Sequence, residues 1–385
     1  MHDNSDIVRL LIEKGAEVNV SDKGGETPLI MACELNYSDI VRLLIDKGAE
    51  VNVSDKYSRT PLIWSCRYDN SDIVRLLIEK GTEVNVSDEY SRTPLIIWSC
   101  AHDNSDIVRL LIDKGAEVNV SDTNGKTPLI WSCKHDNSDI VRLLIEKGAE
   151  VNVSNEDGET PLLWSCVNDN SDIVRLLIDK GAEVNVSDMN GKTPLIWSCK
   201  HDNSDIVRLL IDKGAEVNVS DEYSRTPLIC SCGHNNSDIV RLLIEKGAEV
   251  NVSDMNGKTP LIWSCKHDNS DIVRLLIEKG AEVNVPNKSG ETPLIWSCKH
   301  TNSDIVRLLI DKGAEVNVSD EYSRTPLIWS CRHYNEDRKI ENFFSKHLYK
   351  LHICDRKRKI SENETDIEAI FEREAKFLKM EKAKH

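Results

Sequence analysis

The sequence predicts an all-α solenoid of stacked helix-turn-helix units joined by β-hairpin loops. Three observations predict it: a 33-residue period, a helix-start signal once per period, and a glycine once per period where a helix has to stop. Thr-Pro-Leu begins at residues 27, 60, 93, 127, 160, 193, 226, 259, 292 and 325, with a single 34-residue step after 93. Composition barely changes from residue 1 to about 335, so one repeated unit accounts for a 385-residue length that otherwise implies two or three domains. No unit of this size can bury its apolar face alone, and neighbours must stack to share a continuous core.

Each element has a local cause. Thr before Pro starts the first helix, because the hydroxyl caps a free N–H and Pro at the first helical position gives up no hydrogen bond. A short helix follows, as in Thr127-Pro-Leu-Ile-Trp-Ser-Cys133. A polar break such as Lys134-His-Asp-Asn-Ser138 leads into Asp139-Ile-Val-Arg-Leu-Leu-Ile-Glu-Lys147, whose apolar residues cover most of one helix face. Gly148 and its nine equivalents end that second helix. Ala-Glu-Val-Asn-Val-Ser-Asp then runs extended into the tip of the hairpin, where six units carry a turn glycine and four carry Tyr-Ser-Arg.

These motifs resemble the ankyrin-repeat family, whose consensus runs Asp-x-x-Gly-x-Thr-Pro-Leu-His-x-Ala-Ala, then Ile-Val-x-Leu-Leu, then Gly-Ala-Asp-Val-Asn. On that alignment residues 1–21 form a partial N-terminal repeat, 22–319 nine full repeats, 320–352 a divergent tenth, and 353–385 a basic, then amphipathic helical tail. Ile7, Leu10 and Leu11 are expected to lack first-helix partners, a pattern expected of a truncated chain or a fragment of a longer protein. Two departures from the consensus stand out. The family's His after Thr-Pro-Leu is Ile, or Leu163, in every unit, which removes a polar tie between neighbouring repeats. The extra Ile in Thr93-Pro-Leu-Ile-Ile-Trp-Ser-Cys100 turns the rest of that helix by about 100 degrees, so a π-bulge and a local kink are expected between 93 and 104.

Nothing in the sequence marks a catalytic centre. Every Ser, Cys, His and Asp that could build one belongs to a repeated set, whereas an active site needs a unique constellation. Ten of the twelve cysteines fall at one position of the unit, too far apart across neighbouring units for disulfides, and read as buried free thiols. Histidines 102, 135, 201, 234, 267, 300 and 333 are likewise too widely spaced to share a metal ion and read as surface loop residues. Neither a metal nor a cofactor is expected. The eight tryptophans are expected in the core between repeats, with local slack where Cys230 replaces one.

The candidate binding residues are the tips Tyr57 and Arg59, Tyr90 and Arg92, Tyr223 and Arg225, and Tyr322 and Arg324, since Tyr and Arg are common interface anchors. The resemblance implies that these fingers and the first helices line a concave surface for partner proteins. It also implies that the Asn ending each Val-Asn pair can be hydroxylated by an intracellular asparaginyl hydroxylase; Asn52, Asn85, Asn119, Asn152, Asn185, Asn218, Asn251 and Asn284 match. Read from the residue alone, that Asn tolerates a turn and bonds its own backbone. Arg356, Lys357, Arg358 and Lys359 form a cluster of the kind importins read.

The net charge is −16, with −18 on residues 1–335 and +2 on the rest. Such a surface repels nucleic acid and anionic membranes and favours proteins with basic surface segments. The expected function is a non-enzymatic protein-protein interaction scaffold or adaptor, cytoplasmic, with the basic cluster available for nuclear import. The alternative is the targeting arm of a larger signalling enzyme such as a ubiquitin ligase or kinase.

Overall fold

The computed structural model describes residues 5–68, 70–101 and 105–332. Among them lie twenty helices and no strands, in the order α1 (Ser5–Glu13), α2 (Pro28–Glu34), α3 (Ser38–Asp46) and so on through α20 (Pro326–Arg332). Even-numbered helices begin at the Thr-Pro signal and form an inner row beside the hairpins; odd-numbered helices carry Ser-Asp-Ile-Val-Arg-Leu-Leu-Ile and form an outer row. Each inner helix packs on its own outer helix and on the inner helices before and after it. This is the stacked solenoid that the period predicts.

The start signals work as expected. Thr127 has extended backbone and its Oγ1 accepts the Ile130 N–H at 3.3 Å, while Pro128 takes the first helical position. Behind the outer helix, Gly148 adopts φ +90, and the Ala149 N–H closes the end on the Leu144 carbonyl at 2.9 Å. Between these caps the middle units bury the same aliphatic set: Leu129, Ile130, Ile140, Val141 and Leu144 are all fully buried. Each such side chain contributes about 1.5–3 kcal/mol on leaving water. The Ile that replaces the family's His is part of that core, so apolar packing stands where a polar tie is usual.

Neighbouring hairpins are joined by backbone. Glu89 N–H donates to the Tyr57 carbonyl at 3.1 Å, and the same bond recurs from Met189 to Asp157, from Met255 to Tyr223 and from Glu321 to Ser289. The hairpins themselves are tight turns, without a ladder long enough to form strands, since Asp22 N–H reaches Glu26 O and Gly25 N–H returns to Asp22 O.

The Val-Asn residues correct one expectation. The Asn185 carboxamide bonds the next unit, not its own turn: Nδ2 donates to Gly214 O at 3.0 Å and Oδ1 accepts the Glu216 N–H at 3.0 Å. The pair repeats from Asn19 and Asn52 through Asn284, giving a polar staple across each unit boundary. Asn is chosen because one planar amide supplies both a donor and an acceptor.

The 34-residue unit also departs from expectation. Helix α6 (Pro94–Ala101) takes in the extra residue as one more α-helical residue, with no π-bulge among those described. Ile97 then occupies the position that Trp131 holds elsewhere, and Trp98 moves inward to the Ser132 position, where it is fully buried. Residues 102–104, the remainder of the expected kink, lie outside the described residues. In α1, Ile7, Leu10 and Leu11 are exposed, as their lack of an inner partner predicts.

Candidate protein interface

The side of the solenoid made by hairpin tips and inner helices is built around one Asp or Asn at the base of each hairpin. Asp320, at the base of its hairpin, accepts the Tyr322 and Arg324 N–H groups on Oδ1 at 3.0 and 2.9 Å. Its Oδ2 takes the Arg324 Nε at 2.8 Å and the Trp329 indole N–H at 3.1 Å. Burial alone raises this carboxyl, but the bonds from the Arg324 backbone, its guanidinium, the Trp329 indole and the Tyr322 N–H outweigh it and hold the group below the usual carboxylate range. The buried Asp thus fixes the tip loop and the inner-helix Trp together.

That geometry separates the paired tip residues. Tyr57, Tyr90, Tyr223 and Tyr322 stand in solvent, Tyr322 at 68 % exposure. Arg59, Arg92, Arg225 and Arg324 turn back instead, each pairing with the Asp four residues earlier at 2.6–2.8 Å. Each guanidinium also covers the neighbouring tyrosine ring, at 4.4–4.9 Å from its centre. The tyrosines are therefore held on a braced support, and each arginine is part of the brace. Ser58, Ser91, Ser224 and Ser323 keep the positive φ, 57 to 59 degrees, that glycine supplies at the other tips.

The tryptophans divide where the sequence places all of them in the core. Trp64 and Trp98 are buried, but Trp131, Trp164, Trp197, Trp263, Trp296 and Trp329 are half-buried, each with an edge at this face. Lysines lie over them, Lys200 only 3.6 Å from the Trp197 ring centre. His135, His267 and His300 stack on the tryptophans four residues earlier at 5.7–6.0 Å. Burial first, and then nearby cations, hold the imidazoles of His135, His234 and His267 below their ordinary value. This lysine-indole-histidine layer was missed in the sequence, although the signal was present: Lys recurs eight residues apart around Trp at 126 and 134, 192 and 200, and 258 and 266.

The described cysteines lie beneath this face as free thiols. Burial pushes Cys133, Cys232 and Cys265 up to about 12, against the lowering effect of the serine of the following unit, and burial pushes Cys166 to about 12 as well. A thiol so protonated is a packing group, not a nucleophile. Cys230, where Trp is replaced, is buried as well. No group of three metal-ligating side chains is found among the described residues, and no helix there is long and apolar enough to cross a membrane. Arg356, Lys357, Arg358 and Lys359 lie outside the described residues.

Stacked helix pairs joined by hairpins define the class: a repeat solenoid. Family models for ankyrin repeats, described as three copies each, match residues 1–88, 84–155, 147–221, 218–287 and 283–343. The chain belongs to the ankyrin-repeat family, whose repeats are in general protein-protein interaction modules. No curated protein matches the chain significantly.

Proposed function

We propose that this protein is a non-catalytic interaction scaffold, an intracellular adaptor that holds partner proteins on its finger tips and inner-helix face. The observation that carries the reading is the set of tip tyrosines: aromatic rings exposed on supports already locked by Asp and Arg. Anchors held this way lose little conformational entropy on docking, and aromatic side chains are the commonest interface hot spots. The arginines serve the interface by positioning the rings and by offering the outer guanidinium edge. The alternative, in which the repeats are the targeting arm of a larger ubiquitin ligase or kinase, uses the same face.

Exposed acid lies on the outer helices and on the extended arms that follow them, with Asp139, Glu146, Glu150, Asp172 and Glu183 all exposed. Basic segments of partners fit that side. Hydroxylation at Asn52, Asn85, Asn119, Asn152, Asn185, Asn218, Asn251 and Asn284 is proposed as a modification; a hydroxylase must first release both amide bonds of the staple. Import through Arg356–Lys359 is the matching proposal for the tail.

The test is crosslinked capture of partners by residues 1–385 beside a variant carrying Tyr57→Ala, Tyr90→Ala, Tyr223→Ala and Tyr322→Ala. A partner kept by the parent and lost by a variant with the same thermal melt is the expected result. Equal capture by both removes the tips from the interface.

A further inference from the structure

Between the tips and the inner helices runs a charge pattern opposite in sign to the chain as a whole. In alternate units two lysines flank one indole. Lys126 and Lys134 lie 5.1 and 5.3 Å from the Trp131 ring centre, and Lys192 and Lys200 lie 4.6 and 3.6 Å from that of Trp197. Lys258 and Lys266 lie 4.9 and 4.4 Å from that of Trp263. One lysine of each pair comes from the hairpin and the other from the end of the inner helix or, for Lys200, the turn just after it, and all six are half-buried.

Carboxylates act on these lysines mostly from beyond contact, Asp157 and Glu159 on Lys134 and Asp221 on Lys200. Glu159 stands 3.9 Å from Lys126, and Glu291 pairs with Lys299 farther along. Among the described residues, no carboxylate lies within ion-pairing distance of Lys134, Lys192, Lys200, Lys258 or Lys266. Burial, and next the ammonium of the paired lysine, pull Lys134, Lys200 and Lys266 below the usual ammonium range. Half-buried cations held against each other gain from any carboxylate that enters between them.

We propose that this groove binds an extended acidic segment of a partner protein, each lysine pair taking a carboxylate, or a short cluster of them, between its two ammoniums. The inference rests on the scaffold reading and names the partner chemistry for its inner face. Equivalent pairs are 66 residues apart, two units. At about 8–10 Å per unit they are about 16–20 Å apart. An extended chain advances about 3.3 Å per residue, so acidic groups recurring about every five or six residues match the pairs. The lysine stems are already ordered on the indoles, which lowers the entropy lost on binding.

Single-stranded nucleic acid also favours cations interleaved with aromatic rings, but it needs free ring faces on which bases stack. Here the faces are covered: His135 stacks on Trp131 and His267 on Trp263, and lysines lie over the same rings. The indole N–H groups of Trp131, Trp197 and Trp263 are spent on Asp122, Asp188 and Asp254.

The experiment titrates full-length protein into a fluorescein-labelled peptide with Glu-Glu pairs about every six residues in a Gly-Ser background, followed by anisotropy at low and high salt. A thymidine oligonucleotide and the same peptide with Gln for Glu are run beside it. Lys134→Gln, Lys200→Gln and Lys266→Gln together should weaken acidic-peptide binding at least about tenfold. Lys180→Gln, Lys213→Gln and Lys279→Gln together remove the same charge from the exposed outer row and should leave binding within about twofold. The Gln peptide should not bind, an outcome that needs no altered protein. Equal loss in both lysine variants, equal binding of the Gln peptide, or tighter binding of the oligonucleotide overturns the proposal. A partner captured through the tyrosine tips and still held by the Lys134, Lys200 and Lys266 variant, while the acidic peptide fails to bind, leaves the scaffold standing and removes only this inference.

Discussion

At the scale of single residues the hairpin tips show a conformational cost that the chain carries in four places. Ser224 sits at φ 57 where Gly191 and Gly257 sit at 72 and 74 in the units on either side. An L-residue in this region costs about 1–2 kcal/mol because Cβ crowds its own carbonyl. Replacing Ser224 with Gly should therefore stabilise the protein by about 1 kcal/mol, read as a higher urea midpoint with unchanged slope. The reverse change at Gly191 should be worse than the dihedral alone implies, since its Cβ would meet the Asp221 Cα at 3.2 Å. The tyrosine beside each Ser gains from this turn: Ser leaves the backbone where Arg225 can reach Asp221 and lie over Tyr223.

At the scale of the element, the hairpin base and the residue four places on vary together in most units, and the base Asp takes the indole N–H of Trp131, Trp197, Trp263 and Trp329, though not that of Trp64. Asp122, Asp188 and Asp254 are followed by Lys126, Lys192 and Lys258, whereas Asn155 and Asn287 are followed by Glu159 and Glu291. The Asn155 amide donates to Glu159 at 2.7 Å, and the buried Trp164 indole N–H is left without an acceptor; Asn287 and Trp296 repeat the arrangement. Asn155→Asp alone should cost about 1 kcal/mol, because it sets a carboxylate against Glu159. Adding Glu159→Lys should recover that loss and about 1 kcal/mol more, as the indole N–H gains its acceptor. A double-mutant cycle in urea checks the coupling, and additive effects would show that the pair does not govern the Trp. Comparing units in this way shows what the sequence made legible. Caps, helix lengths and the buried aliphatic stripe follow from signals within about seven residues, so Thr-Pro, Gly and Ile-Val-x-Leu-Leu located them. The staple from Asn185 to Gly214 spans 29 residues, and Lys134 lies over Trp164 of the next unit. Contacts of that kind depend on how units stack, and no spacing inside one unit encodes them. The same holds for the tip arginines, whose inward turn becomes plain only once the Asp is seen buried beneath them.

At the scale of the whole molecule the histidines lie beside the lysines of the inner-helix face. Burial and then Lys134 act on His135; burial and then Lys200, His201 and Arg225 act on His234; burial and then Lys266, His234, His300 and Lys258 act on His267. All three imidazoles are thereby held below the value of about 6.5 that they have in an unfolded chain. As pH falls through that value the unfolded chain takes up protons that the folded chain refuses, so stability is full above about pH 6.5 and declines toward the folded pKa values. Because the three histidines lie in different units, the losses are spread along the stack instead of falling on one repeat. The melting temperature should therefore drop between pH 7.5 and 5.5, before most carboxylates titrate. A variant with His135→Gln, His234→Gln and His267→Gln should melt with a flatter pH dependence across that interval. If the parent and this variant lose stability in parallel, the imidazoles do not feel the cations beside them.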